Sequence, residues 1–313
     1  MPDLPIIVDC DTGVDDALAL LYLTHQSEAD IVAVGCVHGN VPVASVARNT
    51  LQVLALAGRP DIPVAVGAAR PLAQALHTSE AVHGDDGLGG AARDHRATPI
   101  EGSAAEQLVR LARRRPGELS VLATGPLTNL ALALLIEPGL PLLIRQVVVM
   151  GGAFSVPGNI TPHAEANIFH DPEAAALVLE AAWPLTVVGL DVTMATILAE
   201  HRLERLESSG SPRAQFSWRA LQFYLDVYEQ RLGRRGCPVH DALAAAVLVH
   251  PDLATGDRVP VHVELHGRLT RGATLIDNRP LPSPEPDRPF VSVVRRVDVD
   301  ASLDELVDAL TAE

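Results

Sequence analysis

Six short apolar runs, rich in valine and isoleucine and lacking polar alternation, mark the chain up to residue 191: LPIIVD (4–9), DIVAVGCV (30–37), IPVAVG (62–67), LSVLAT (119–124), RQVVVM (145–150) and PLTVVGLD (184–191). Between them lie segments whose apolar residues recur with helical spacing, among them Asp15 to His25, Val41 to Ala57 and Leu127 to Ile136. A strand that is apolar at every residue has to be covered on both faces. Alternating strands and helices achieve this with a parallel sheet between two helical layers. The pattern predicts an α/β fold with a mostly parallel central sheet flanked by helices. Ligands of such sheets sit beyond the carboxyl ends of the strands. The loops to search therefore follow Val8, Val37, Ala123, Met150 and Leu190.

No internal repeat or linker divides the 313 residues, so the expectation is a single domain over 1–313. No apolar run has the length of a membrane span: LTNLALALLI is too short, and Pro138 and Pro141 follow it. The chain begins Met-Pro-Asp and enters a strand at once, so no secretion or transit signal is expected. Three widely spaced cysteines (Cys10, Cys36, Cys237) give neither a disulfide framework nor a zinc pattern, and they suit a reducing, cytoplasmic compartment. A net charge of −15 opposes nucleic-acid binding. All 24 basic residues are arginine. Without lysine, Schiff-base chemistry and the Walker phosphate loop are excluded.

The chemistry concentrates at the end of the first run, where Asp9, Asp11, Asp15 and Asp16 crowd into DCDTGVDD. Two carboxylates ~5 Å apart repel by roughly 3 kcal/mol at an effective dielectric of about 20. Helix capping accounts for one or two of the four, since Asp15 and Asp16 open the following helix. It leaves the others unexplained, and a bound cation is the better reading. An EF-hand does not fit, because counting from Asp9 places Gly13, Val14 and Leu20 at its fifth, sixth and twelfth positions. A D-x-D strand end also suggests a haloacid-dehalogenase phosphatase with Asp9 as nucleophile and Asp11 as acid. That family, however, places a lysine on the phosphate. Asp241, in the otherwise apolar helical run PVHDALAAAVLVH, is a further carboxylate that needs a partner.

Three polar stretches interrupt the strand–helix rhythm: residues 77–100, with HGDDGLGG; residues 151–170, with GNITPHAEANIF; and residues 251–300, read as loops and strands with a Pro-rich part at 280–289 before a final helix from Ser302. Together with DCDTGVDD, the blocks VHGN (37–40), HGDDGLGG (83–90), TGPLTN (124–129), MGGAF (150–154), GNITPHAEANIF (158–169) and PVHDALA (238–244) resemble the nucleoside hydrolases, the inosine–uridine-preferring N-ribohydrolases. The resemblance spans nearly the whole chain, with the blocks in the family's order. It implies a Rossmann-like nucleoside hydrolase domain that cleaves ribonucleosides to base and ribose. It implies a Ca²⁺ held by Asp11, Asp16, Asp241 and the carbonyl of Thr124, with Asp11 also the general base. By similarity Asp15 and Asn167 grip the ribose hydroxyls, Asn40, Asn159 and Glu165 complete the sugar pocket, and Met150 lines it. Asp9 is a supporting residue.

For the leaving base the resemblance offers His240 as first candidate acid, then His83 and Tyr228, the last on a helix over 213–231. Arg231, Arg234 and Arg235 are candidates for a closing lid. The family's usual aromatic between the Glu and Asn of A-E-x-N is here Ala166. Family members assemble as dimers or tetramers, so a homo-oligomer is expected. A metal-bearing ribose-binding relative without turnover is the alternative outside enzymes.

Overall fold

The computed structural model describes residues 4–93, 97–279 and 288–312. Residues 280–287 of the Pro-rich stretch, and Asp94 and His95 after the glycine-rich loop, lie outside the described residues.

All six apolar runs are strands: β1 (Leu4–Cys10), β2 (Ala29–Cys36), β3 (Val64–Val66), β4 (Ser120–Ala123), β5 (Gln146–Met150) and β6 (Leu185–Val188). They pair in parallel in the order β3-β2-β1-β4-β5-β6. Two later strands complete an eight-stranded sheet. Val291–Val297 lies parallel beside β6, and Ala254–Val259 pairs antiparallel with it at the edge. Winding proceeds outward from β1 through β2 and β3, and in the opposite direction from β4 through β6. The reversal falls between β1 and β4, where the departing loops diverge and open a crevice.

Both faces of the sheet are covered, as uniformly apolar strands require. Ile6, Val8 and Cys10 of β1 pack into one core layer with helix α1 (Val14–His25) and helices Pro212–Leu232, His240–Val249 and Val299–Thr311. Ile7 points into the other layer, with helices Ala104–Arg114, Thr128–Ile136 and Pro172–Leu179. Helix Ala104–Arg114 falls outside the segments that the strand–helix rhythm picks out. Its start is nevertheless encoded locally: Ser103 Oγ accepts the Glu106 N–H (3.2 Å) and Glu106 Oε2 accepts the Ser103 N–H (2.8 Å). The last helix begins at Val299 rather than Ser302, because Asp298 Oδ1 accepts the Ala301 N–H (3.0 Å) and caps it earlier.

Helix α1 carries Asp15 and Asp16 in its first turn and is buried from Val14 to Leu23. Its seating therefore sets the position of two site carboxylates. Leu18, fully buried on α1, should cost about 2–5 kcal/mol when cut to alanine. Leu142→Ala, at a residue 85% exposed, should stay within about 0.5 kcal/mol. Denaturant midpoints of the two variants check this.

Candidate functional site

The loop leaving β1 turns at Thr12-Gly13 and enters α1, so the four aspartates distribute around one strand end. The turn is tightly packed: a Cβ on Gly13 would stand 2.5 Å from His83 Nδ1 and 2.6 Å from Asn40 Nδ2. Asp9 points away from the crevice. Its Oδ2 accepts from Asn129 Nδ2 (2.9 Å), and Asn129 also binds the Cys36 carbonyl (3.0 Å) and the Ala68 N–H (2.8 Å). Asp9 thus ties β1 to the ends of β2 and β3, and burial raises its pKa to about 7.

Asp15, Asp16 and Asp241 converge, each offering an oxygen within 4.8 Å of the others, all buried. Asp16 is held by three donors: Gly13 N–H (2.8 Å), Thr124 Oγ1 (2.8 Å) and Asn40 Nδ2 (3.1 Å). Asp11 lies beside the group. Its Oδ2 accepts the Asn40 N–H (2.8 Å), while its Oδ1 is buried with no hydrogen-bond partner among the described residues. Burial, reinforced by Asp16, holds the Asp11 carboxyl well above the usual range. Burial and the facing aspartates do the same for Asp241, and Asp15 is raised to about 7. Four oxygen-donor side chains, one with an orphaned buried oxygen, fit a hard divalent cation.

The expected ligand set and the observed group differ in two respects. Asp15, expected on the sugar, stands with Asp16 and Asp241, while Asp11 sits at the group's edge. The Thr124 carbonyl, expected as a ligand, accepts Asn167 Nδ2 (2.8 Å).

A cavity opens beside this group, its lining including the polar residues Asp15, Asn40, Thr124, Asn159, Glu165, Asn167 and Asp241 with Met150, and the ring-bearing residues His83, Tyr224, Tyr228 and His240 with Arg231. Every residue expected to touch substrate is among them. Asp11 and Asp16 lie outside this lining, buried beside it. Asn167 Nδ2 also donates to the Met150 carbonyl (3.1 Å) and contacts its sulfur (3.4 Å), which leaves Asn167 Oδ1 for a ligand. Asn159 Oδ1 accepts the Ala166 N–H (2.9 Å), so the small side chain at 166 leaves that loop contact intact. Glu165 is more committed than expected. It caps helix Ala166–His170, its oxygens accepting the N–H groups of Asn167 (2.9 Å), Gly152 (3.0 Å) and Ile168 (3.1 Å).

The aromatic side forms a chain. His83 and Tyr224 rings lie 5.3 Å apart, Tyr224 and Tyr228 4.8 Å, and the Tyr228 hydroxyl meets His240 Nε2 at 3.1 Å. His240 Nδ1 meets Thr193 Oγ1 at 2.7 Å. Burial, with Arg231 nearby, lowers the His240 pKa to about 4, so this imidazole is neutral rather than poised near pH 7 as its type alone suggests. His83 is neutral too, pushed to about 3 chiefly by burial. Its Nδ1 lies 3.9 Å from Asp15, yet it accepts the Val14 N–H (3.1 Å), so the contact is no ion pair.

Tyr224, which donates to Asp15 Oδ2 (3.3 Å), and Thr193 escape a reading based on motifs. The available signal was the Tyr224–Tyr228 spacing of one helical turn. Of the three lid candidates, Arg231 reaches the cavity. Arg235 folds back onto Asp226 (3.0 Å) and Glu229 (3.1 Å).

Residues 6–304 match the family described as inosine-uridine preferring nucleoside hydrolase. The chain belongs to that family. It is 36% identical to the inosine-uridine preferring nucleoside hydrolase of Leishmania major over 308 residues, covering 97% of this chain and 96% of that one. It is 37% identical to the pyrimidine-specific ribonucleoside hydrolase RihA of Salmonella typhi, with 98% of each chain covered. A plant nucleoside hydrolase, the PpNRh1 enzyme, superposes with a TM-score of 0.95 at 33% identity over 100% of both chains. The chain is accordingly an enzyme of a family that acts on N-glycosyl bonds, and among its described residues no helix is long and apolar enough to cross a membrane.

The carboxylates carry a testable pH dependence. A carboxyl with a raised folded pKa retains a proton that the unfolded chain has lost. Its stabilisation is complete below the ordinary carboxyl value of 3.8 and disappears as pH rises through about 7 for Asp9 and Asp15. Chelator-treated protein should therefore melt at a lower temperature at about pH 8 than at about pH 5. A saturating divalent cation should remove most of that difference in thermal scans.

Proposed function

We propose that this chain hydrolyses the N-glycosidic bond of ribonucleosides, with Ca²⁺ as its cation, releasing base and ribose for nucleobase salvage. The observation that carries the reading is the buried group of Asp15, Asp16 and Asp241, with Asp11 beside it, next to a cavity at the reversal between β1 and β4. Asp11, Asp16, Asp241 and the Thr124 carbonyl supply hard oxygen donors for the ion. When bound, Ca²⁺ balances the carboxylate charge and polarises a water molecule.

The remaining chemistry belongs to the side chains. Asp11, through its unpartnered Oδ1, accepts the proton of the attacking water. Asp15 and Asn167 Oδ1 take the ribose hydroxyls, and Asn40 and Asn159 bound the sugar pocket. Met150 lines its floor. Glu165, already engaged by backbone N–H groups, holds Asn167 and the 151–153 loop in place and closes the pocket's edge. The anionic surroundings favour positive charge developing on the ribosyl carbon. On the aromatic side His83 and Tyr228 contact the base. His240, hydrogen-bonded to Tyr228 and neutral at rest, takes a proton from solvent and relays it to the departing base. Residues 1–313 act as one domain, in the cytoplasm and as a homo-oligomer.

Release of free ribose from inosine, adenosine, uridine and cytidine, with Ca²⁺ and after chelation, tests the reading. Chelator-sensitive release from at least one is expected, and none from any would overturn it. Asp11→Ala should reduce turnover beyond detection. His240→Ala should cost about 10²–10⁴-fold in kcat, and unchanged turnover of inosine and uridine would remove His240 from its role.

A further inference from the structure

The cavity side of helix Pro212–Leu232 carries Tyr224, Tyr228 and Arg231, spaced four and then three residues apart so that they stack along one face. Contacts order them outward from the carboxylates. The Tyr224 hydroxyl bonds Asp15 (3.3 Å), the Tyr228 ring follows at 4.8 Å, and the Arg231 guanidinium carbon lies 5.5 Å from the Tyr228 centroid. Arg231 is the one arginine among the described residues lining this cavity, and no carboxylate among the described residues is in ion-pair contact with it. The two nearest acidic groups of its own helix, Asp226 and Glu229, are occupied by Arg235. The cavity is thus polarised, with anionic oxygens at one side and an unneutralised guanidinium at the other.

That polarity matches the charge separation of C–N cleavage, which leaves positive charge on the ribosyl carbon and an electron pair on the base. We propose that Arg231 binds the acceptor edge of the departing nucleobase and stabilises its negative charge, acting as a catalytic residue in addition to His240. The inference rests on the ribonucleoside reading above. A guanidinium offers only donors, so it pairs with the ring-nitrogen and carbonyl acceptors of a base. His83 adds to this bias: its Nδ1 accepts the Val14 N–H, which puts the proton of the neutral ring on Nε2. In the step, the C1′–N bond breaks and its electron pair goes to the base. The water oxygen bonds to C1′ while its proton passes to Asp11. The base is neutralised by a proton that His240 takes from solvent and relays across, which returns the imidazole to its neutral form, and Asp11 gives its proton back to solvent.

The test compares uridine and inosine with p-nitrophenyl riboside, whose nitrophenolate leaves as a stable anion. Arg231→Gln should lower kcat about 100-fold for the two nucleosides and only about three-fold for the nitrophenyl compound. Arg231→Lys, which keeps the charge but loses the fork, should fall between wild type and Arg231→Gln on the nucleosides. Equal losses on all three substrates, or no loss on the nucleosides, would overturn the role of Arg231 and leave the ribonucleoside reading standing. Failure of the wild-type protein to release ribose from any nucleoside would overturn both.

Discussion

Ionised together, the buried aspartates would repel strongly: at the 4.8 Å limit that contains Asp15, Asp16 and Asp241, each pair of carboxylates would cost about 3 kcal/mol at an effective dielectric of about 20. A single hydrogen bond offsets only about 1 kcal/mol net. The surrounding structure is organised to carry this load. Asp16 draws on Gly13, Thr124 and Asn40, and Asp11 on the Asn40 backbone, so the VHGN and TGPLTN loops are positioned by the same carboxylates. What these donors leave uncompensated, above all the bare Oδ1 of Asp11, is a demand for positive charge.

The topology of the sheet brings the carboxylates together. Reversal of winding between β1 and β4 separates the two loops that supply Asp11 and Thr124, and the helix that follows β1 delivers Asp15 and Asp16. Asp241 comes from a distant part of the chain, in the first turn of helix His240–Val249, which packs in the same core layer as α1. Polarity then grades across the cavity, from carboxylates through neutral histidines and tyrosines to Arg231.

Much of this was legible in the sequence, for specific reasons. Strands covered on both faces cannot hide their composition, so all six apolar runs became sheet strands. The crowding of DCDTGVDD is too unfavourable to be incidental. The partition of its members was harder to read. Whether Asp11 or Asp15 stands nearer Asp16 and Asp241 depends on how the chain turns at Thr12-Gly13, and that turn is fixed by His83 and Asn40 from other loops. Neutral His240 was equally hidden, because its low pKa comes from burial that no local residue reports. Helix Ala104–Arg114 showed only its capping box. Tyr224 showed only a one-turn spacing to Tyr228.

The central claim is that a cation completes the carboxylate group, and calorimetric titration of Ca²⁺ into chelator-treated protein tests it most directly. Because the carboxyls hold protons when no ion is bound, binding should expel them. The account predicts one tight site per chain, proton release that grows as pH is lowered from about 8 toward about 6, and loss of the site in Asp241→Asn. Absence of binding, or equal binding by Asp241→Asn without proton release, would contradict it.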